Sequence, residues 1–273
     1  MNNTFNFRRF GLLLRKTIYE KGLVLGGFFV LSVVLIIFSY SSSGTLRQSA
    51  FAQSMGFTIG LFGVTIFVNI LLNNFSKKST AASYLSLPSS HFEKWLVVFV
   101  STFLIFLPMF LIILKVIDTL FIDYYRELAI TKYHYSAAQL ETSLTYLTYA
   151  FEEKDNLSRM SFGSFLPTFF GLSGVSVVGS LYFNQKSYIK SALVFLGLAV
   201  ILSLSVNMLF GTVIGEKTAI MNFTKAFITT QKEKHYTVSA SESVQSLIKY
   251  FMMIFIPAAL WLIGLVRLSD KEV

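Results

Sequence analysis

The chain has 273 residues, of which 54% are hydrophobic, 16% aromatic and 14% charged, where soluble domains carry about 25% charged residues. With 29 phenylalanines and a mean hydropathy of +0.63, this excludes an ordinary soluble domain and indicates an integral membrane protein. The absence of cysteine excludes disulfides, thiol catalysis and cysteine-based metal sites, and the net charge of +9 reads as basic flanks of apolar runs rather than a nucleic-acid surface.

The first element is "TFNFRRFGLLLRKTIYE", residues 4–20. Phe7, Phe10, Leu14 and Ile18 recur at helical spacing, and Arg8, Arg9, Arg15 and Lys16 fall largely elsewhere on the wheel. The pattern predicts an amphipathic helix lying along the inner leaflet before the first span; the competing reading is a plain extension of that span.

A span needs about 20 mostly apolar residues. Six runs qualify: 22–40, 54–75, 95–117, 161–183, 191–214 and 247–266. The uncharged core 22–38 exceeds the usual length of a signal-peptide apolar region, so the first run reads as a span and not as a cleaved leader. Lys115 can snorkel from the end of the third span. The prediction is an all-α membrane protein, a single transmembrane domain over residues 1–273.

Between the spans, residues 118–160 form the largest extramembrane piece, with an amphipathic helix predicted over 136–153 from Leu140, Leu144, Leu147 and Phe151. In the segment 216–246, "AIMNFTKAFI" is too short to cross and suits a re-entrant or interfacial helix. "GLVLG" (22–26), "GFTIG" (56–60) and "GTVIG" (211–215) fit a small-residue pattern for close helix packing. Pro108 and Pro257 sit mid-span and should kink their helices.

Orientation follows from lysine and arginine in the flanks. The N-terminal segment, the loops after spans two and four and the C-terminal tail together hold twelve basic residues and four acids. The piece 118–160 holds four basic residues and seven acids. Both termini are therefore expected in the cytoplasm.

The cores of the predicted spans lack acids, bases and histidine, so an ion-coupled transporter or an intramembrane protease is not expected. His91, His134 and His235 lie in separate extramembrane segments. No P-loop appears, so ATP binding by this chain is not expected, nor is any catalysis, cofactor or metal.

The loop "FSKKSTAASYLSLPSSHFEKW", 75–95, is long for a connector. Ser90 and Glu93 fit a capping box, so the third membrane helix should start near Ser90. Pro88 biases Leu87 away from helical geometry, and 79–86 can form two helical turns before it. Two turns are marginal alone, so Tyr84 and Leu85 are expected to dock on another chain.

The loop carries a resemblance. Six spans, a basic amphipathic N-terminal helix and "LSLPSSHFEKW" entering the third span are similar to the permease subunits of ABC-2 type exporters, and "GSLYFNQKSYIKS" (179–191) resembles one bacterial branch of that family. The resemblance implies that the second loop carries a short cytoplasmic coupling helix, with Tyr84, Leu85, Leu87, Pro88, Ser90 and Glu93 at the contact with a separate ABC ATPase subunit. Phe7, Arg8, Phe10, Leu14 and Arg15 would belong to the interfacial helix. It implies further a second permease copy or paralogue, a bacterial inner (plasma) membrane location and no nucleic-acid partner. The same features would suit a non-transport membrane scaffold or sensor component with an extracytoplasmic binding loop.

Overall fold

The computed structural model describes residues 5–42, 49–76, 78–134, 147, 162–183, 187, 189–194, 196–197, 200–201, 204, 218–222, 225–229, 235–239 and 241–270. Helix α1 is Phe7–Ser42, α2 is Ser49–Leu71, and α3 is Lys78–Leu85. Next come α4, His91–Val100, and α5, Leu107–Tyr133. Helix α6 is Phe162–Tyr182, α7 is Glu242–Tyr250 and α8 is Ile256–Asp270. The membrane part is helical because hydrocarbon offers the backbone no partner, so each segment must satisfy its own amides. Among the described residues five helices are long and apolar enough to cross a membrane: Phe7–Ser42, Phe51–Leu71, His91–Lys132, Gly163–Tyr182 and Glu242–Asp270. The predicted span 191–214 and the predicted helix 136–153 fall largely outside the described residues, as does "GTVIG".

Three expectations change. The separate interfacial helix is not found: Phe7–Ser42 is one helix of 36 residues. No proline interrupts this stretch, and nothing else in it forces the backbone to turn. The third span does not end at 117, since the helix continues to Tyr133. The short apolar run after 216 is not a re-entrant helix. Strands β1 (Thr218–Asn222), β2 (Lys225–Thr229) and β3 (His235–Ser239) form an antiparallel sheet in that order. Its residues include Ile220, Phe227, Ile228 and Thr229, types that favour strands, and Ala226 pairs with Val238. The helical spans thus carry a small sheet.

Both predicted kinks coincide with a widened helical turn. A π segment, Ser101–Phe106, joins α4 to α5, and another, Phe251–Phe255, joins α7 to α8. The Leu107 amide reaches the Thr102 carbonyl and the Ile256 amide reaches that of Phe251, each five residues back. Pro108 and Pro257 follow directly. Each lacks an amide hydrogen and crowds the carbonyl four residues before it, and a local π turn accommodates that strain.

The core is aromatic. Phe106, fully buried, lies 4.7 Å from Phe67, 5.6 Å from Phe29 and 5.9 Å from Phe169, ring centre to ring centre. Trp261 of α8 meets Phe99, Phe103 and Trp95. Close helix approach depends on glycine at particular places: a side chain at Gly56 or Gly60 would strike Leu114 or Phe110 of α5, and one at Gly174 would strike Leu260 of α8. "GFTIG" therefore packs as predicted. Gly22 and Gly26 have nothing within 4 Å, so "GLVLG" packs against nothing among the described residues. Leu23, Val30, Phe38, Leu247 and Phe255 point outward, as side chains facing lipid do.

Candidate functional site

The two helical ends of the bundle are distinct. At one end meet the start of α1, the end of α2, α3, the start of α4, the end of α6 and the end of α8. The contacts that show this are Asn6 with Glu93, Lys21 with the carbonyls of Ile70 and Leu71, Ser180 and Ser187 with Asn69, and Arg267 over Tyr182. The segments that the sequence placed on one side of the membrane thus share one end of the molecule.

At this end α3 and α4 form an elbow. Ser90 has extended backbone angles (φ −69°, ψ 157°), and its hydroxyl accepts from the Glu93 amide at 3.2 Å. The Glu93 carboxylate accepts from the Ser90 amide at 3.0 Å, which completes the predicted capping box. The box explains why α4 begins at His91. Turn hydrogen bonds from Ser86 to Ala82 and from Ser89 to Leu87 tighten the chain around Pro88.

Glu93 does more than cap. It is fully buried, and its other oxygen accepts from the Asn6 amide at 2.8 Å and from the Arg9 guanidinium at 3.1 Å. Asn6 in turn accepts from the amides of Arg8 and Arg9 and so caps the start of α1. One carboxylate therefore satisfies open amides at the starts of two helices and pairs with a cation. A buried carboxylate is tolerable only with such company.

Lys94 is the second tie. It is also buried, and its ammonium donates to the Leu85 carbonyl at 2.9 Å. The last carbonyls of a helix lack internal partners, and a cation there is favourable. Lys94 thus fastens the end of α3 to the start of α4. The same ammonium lies 6.0 Å from the centre of the Tyr84 ring.

The anchors predicted for another chain turn inward. The Tyr84 ring packs edge-on against Phe75 at 5.5 Å, and Leu85 packs against the same core. Burial, with the negative charge of Glu20 adding to it, pushes the Tyr84 hydroxyl up to about 12. Two apolar side chains on a two-turn helix gain more by joining this chain's own core than by waiting for a partner. Leu87 is half-buried and Pro88 exposed. The outward face of the elbow is instead Ser79, Thr80, Ala82, Ser83, Ser86 and Pro88.

Along α1, Phe10 and Leu14 are half-buried, Phe7 is exposed, and Leu13 and Thr17 are the residues that face the bundle. The buried face is therefore rotated from the predicted stripe. Arg8 and Arg15 are exposed, and Arg15 lies over the Tyr19 ring at 5.4 Å. The pairing roles of Asn6, Arg9 and Lys94 were not read from the sequence. The available signal was "EK" placed next to a membrane-entering tryptophan, where two charges at the start of an apolar run need partners.

The opposite end holds a buried acid, Asp118 of α5. Its carboxylate accepts from the Tyr40 hydroxyl at 2.6 Å, the Gln53 side-chain amide at 3.0 Å and the Leu147 main-chain amide at 2.7 Å. The sequence placed Asp118 at the head of a loop. The helix running past 117 places it inside the bundle.

No known protein family, curated protein or solved structure matches the chain.

Proposed function

We propose that this chain is the membrane-spanning permease subunit of an ATP-driven exporter, with ATP hydrolysis carried by a separate ATPase chain. The observation that carries the reading is the elbow. A connector between spans has no physical need for a capped helix start, a buried carboxylate and a buried ammonium. A surface that must transmit force does, because slack chain would absorb the movement. The exposed hydroxyl-rich face of α3, with Pro88, is the docking surface. Leu85, Leu87, Ser90 and Glu93 hold it in place, and Tyr84 anchors it to the core.

In this reading the elbow end is cytoplasmic, the membrane is the bacterial inner membrane, and two permease chains, identical or related, share the transport path. The largely apolar spans suit apolar or amphipathic cargo. The chain itself is not catalytic and carries no cofactor. The test is affinity purification of the full chain from native membranes. A P-loop ATPase should co-purify in stoichiometric amount and bring ATP hydrolysis with it. Recovery of a kinase or response regulator in its place would favour the scaffold or sensor reading.

A further inference from the structure

We infer that Asp118 is a clasp at the bundle end opposite the elbow: it fastens the end of α1, the start of α2 and the main chain at Leu147 to α5, so that α1 and the continuous α4–α5 helix move as one lever. Two buried acids lie on that long helix, Glu93 at its start and Asp118 about two thirds of the way along, and both hold α1. Glu93 binds the start of α1 through Asn6 and Arg9. Asp118 binds its end through the Tyr40 hydroxyl, and Tyr125, two turns further along α5, donates to the Tyr40 carbonyl at 3.0 Å. At 1.5 Å per residue, Arg9 to Tyr40 covers about 46 Å of helix and Glu93 to Asp118 about 37 Å. Joined near its start and at its end, α1 is held in register with that helix, and the pair resists sliding.

A carboxylate withdrawn from water costs several kcal/mol unless well paired, and an apolar replacement is often no worse for stability. An acid kept at such a place is a functional candidate by default. Here its donors come from three other stretches of chain. It therefore sets the register among them, which is the best-attested use of a buried polar group. It also gives the lever an output: a displacement at the elbow reaches Leu147, whose amide is held by Asp118. The purpose of that output rests on the permease reading; the joint itself does not.

The chain has no cysteine, so one introduced thiol is unique. Leu147 is 1% exposed and Tyr124 is 59% exposed. Full-length Leu147→Cys, purified into nanodiscs, should react slowly with a maleimide. Adding Asp118→Asn, which keeps the shape but loses acceptor capacity, should speed that reaction about tenfold through local opening. Adding Tyr40→Phe, a milder change, should speed it about threefold. Tyr124→Cys should react at the same rate with and without Asp118→Asn. Adding Glu93→Gln to Leu147→Cys should also speed the reaction, which reports the lever rather than the clasp alone. Unchanged Leu147→Cys reactivity in Asp118→Asn overturns the clasp, and no effect of Glu93→Gln overturns the lever. Faster reaction at both cysteine positions would show that Asp118 merely maintains the fold, and overturns the inference as well. None of these rates involves an ATPase, so this result and the co-purification result fail independently.

Discussion

Glu93 and Lys94 are adjacent in sequence, oppositely charged and both buried, yet each ties α4 to a different helix. Glu93 reaches back to α1, and Lys94 reaches back to α3. The elbow is therefore a junction of three elements made by two neighbouring side chains. For the Arg9–Glu93 pair, a double-mutant cycle with alanine should give a coupling of about 1.5–3 kcal/mol, the range for hydrogen bonds to charged groups; additive losses would show that the ion pair contributes nothing. Tyr84 gives a second prediction. Its hydroxyl is pushed up to about 12, above the ordinary value near 10. A raised folded-state value means the contribution to stability is whole below pH 10 and fades as pH rises toward 12. Thermal stability of the purified protein should fall more steeply over that window than in Tyr84→Phe. Equal slopes would mean that the hydroxyl is not buried in the folded state. The capping box and the proline bend were legible in "LPSSHFE" because they depend on neighbours in sequence. The inward turn of Tyr84 was not, because it depends on Phe75 and on α1, and a single chain of letters does not show which core a half-apolar helix joins.

At the scale of elements, glycine separates packing from coincidence. Gly56 and Gly60 sit under Leu114 and Phe110, while Gly22 and Gly26 face open space. Gly56→Leu or Gly60→Leu should each cost about 1–3 kcal/mol by overpacking. Gly22→Leu and Gly26→Leu should be near neutral by the same thermal measurement in detergent; equal losses at all four positions would contradict the packing described. The identical sequence pattern thus has opposite structural meaning at two sites. Spacing shows what can pack, and only the neighbouring helix decides what does. Five of the six predicted spans were legible because hydrocarbon imposes a length and an apolar composition; the sixth, 191–214, falls largely outside the described residues. Their continuations were not: residues 118–133 are more polar, yet nothing in them stops a helix already formed, and Asp118 was read as loop for that reason. The sheet at Thr218–Ser239 was missed because a ten-residue apolar run was matched to a helix by length alone, although isoleucine, phenylalanine and threonine favour strands.

At the scale of the molecule, the five long apolar helices among the described residues, with one end rich in polar ties, indicate a multi-pass membrane protein. The charge asymmetry of twelve basic residues against four acids is the ground for proposing that the elbow end is cytoplasmic. Reporter fusions after Asp155 and after Val273 should therefore report opposite sides of the membrane, and matching signals would break this topology. The most direct measurement addresses the elbow. A photo-crosslinking residue placed at Ser83, on the exposed face of α3, is compared with one at Phe255 on the lipid side, in native membranes. The account predicts that Ser83 yields a covalent adduct with a P-loop ATPase and that Phe255 does not. An adduct with no such chain from Ser83, or the same adduct from both positions, would contradict it.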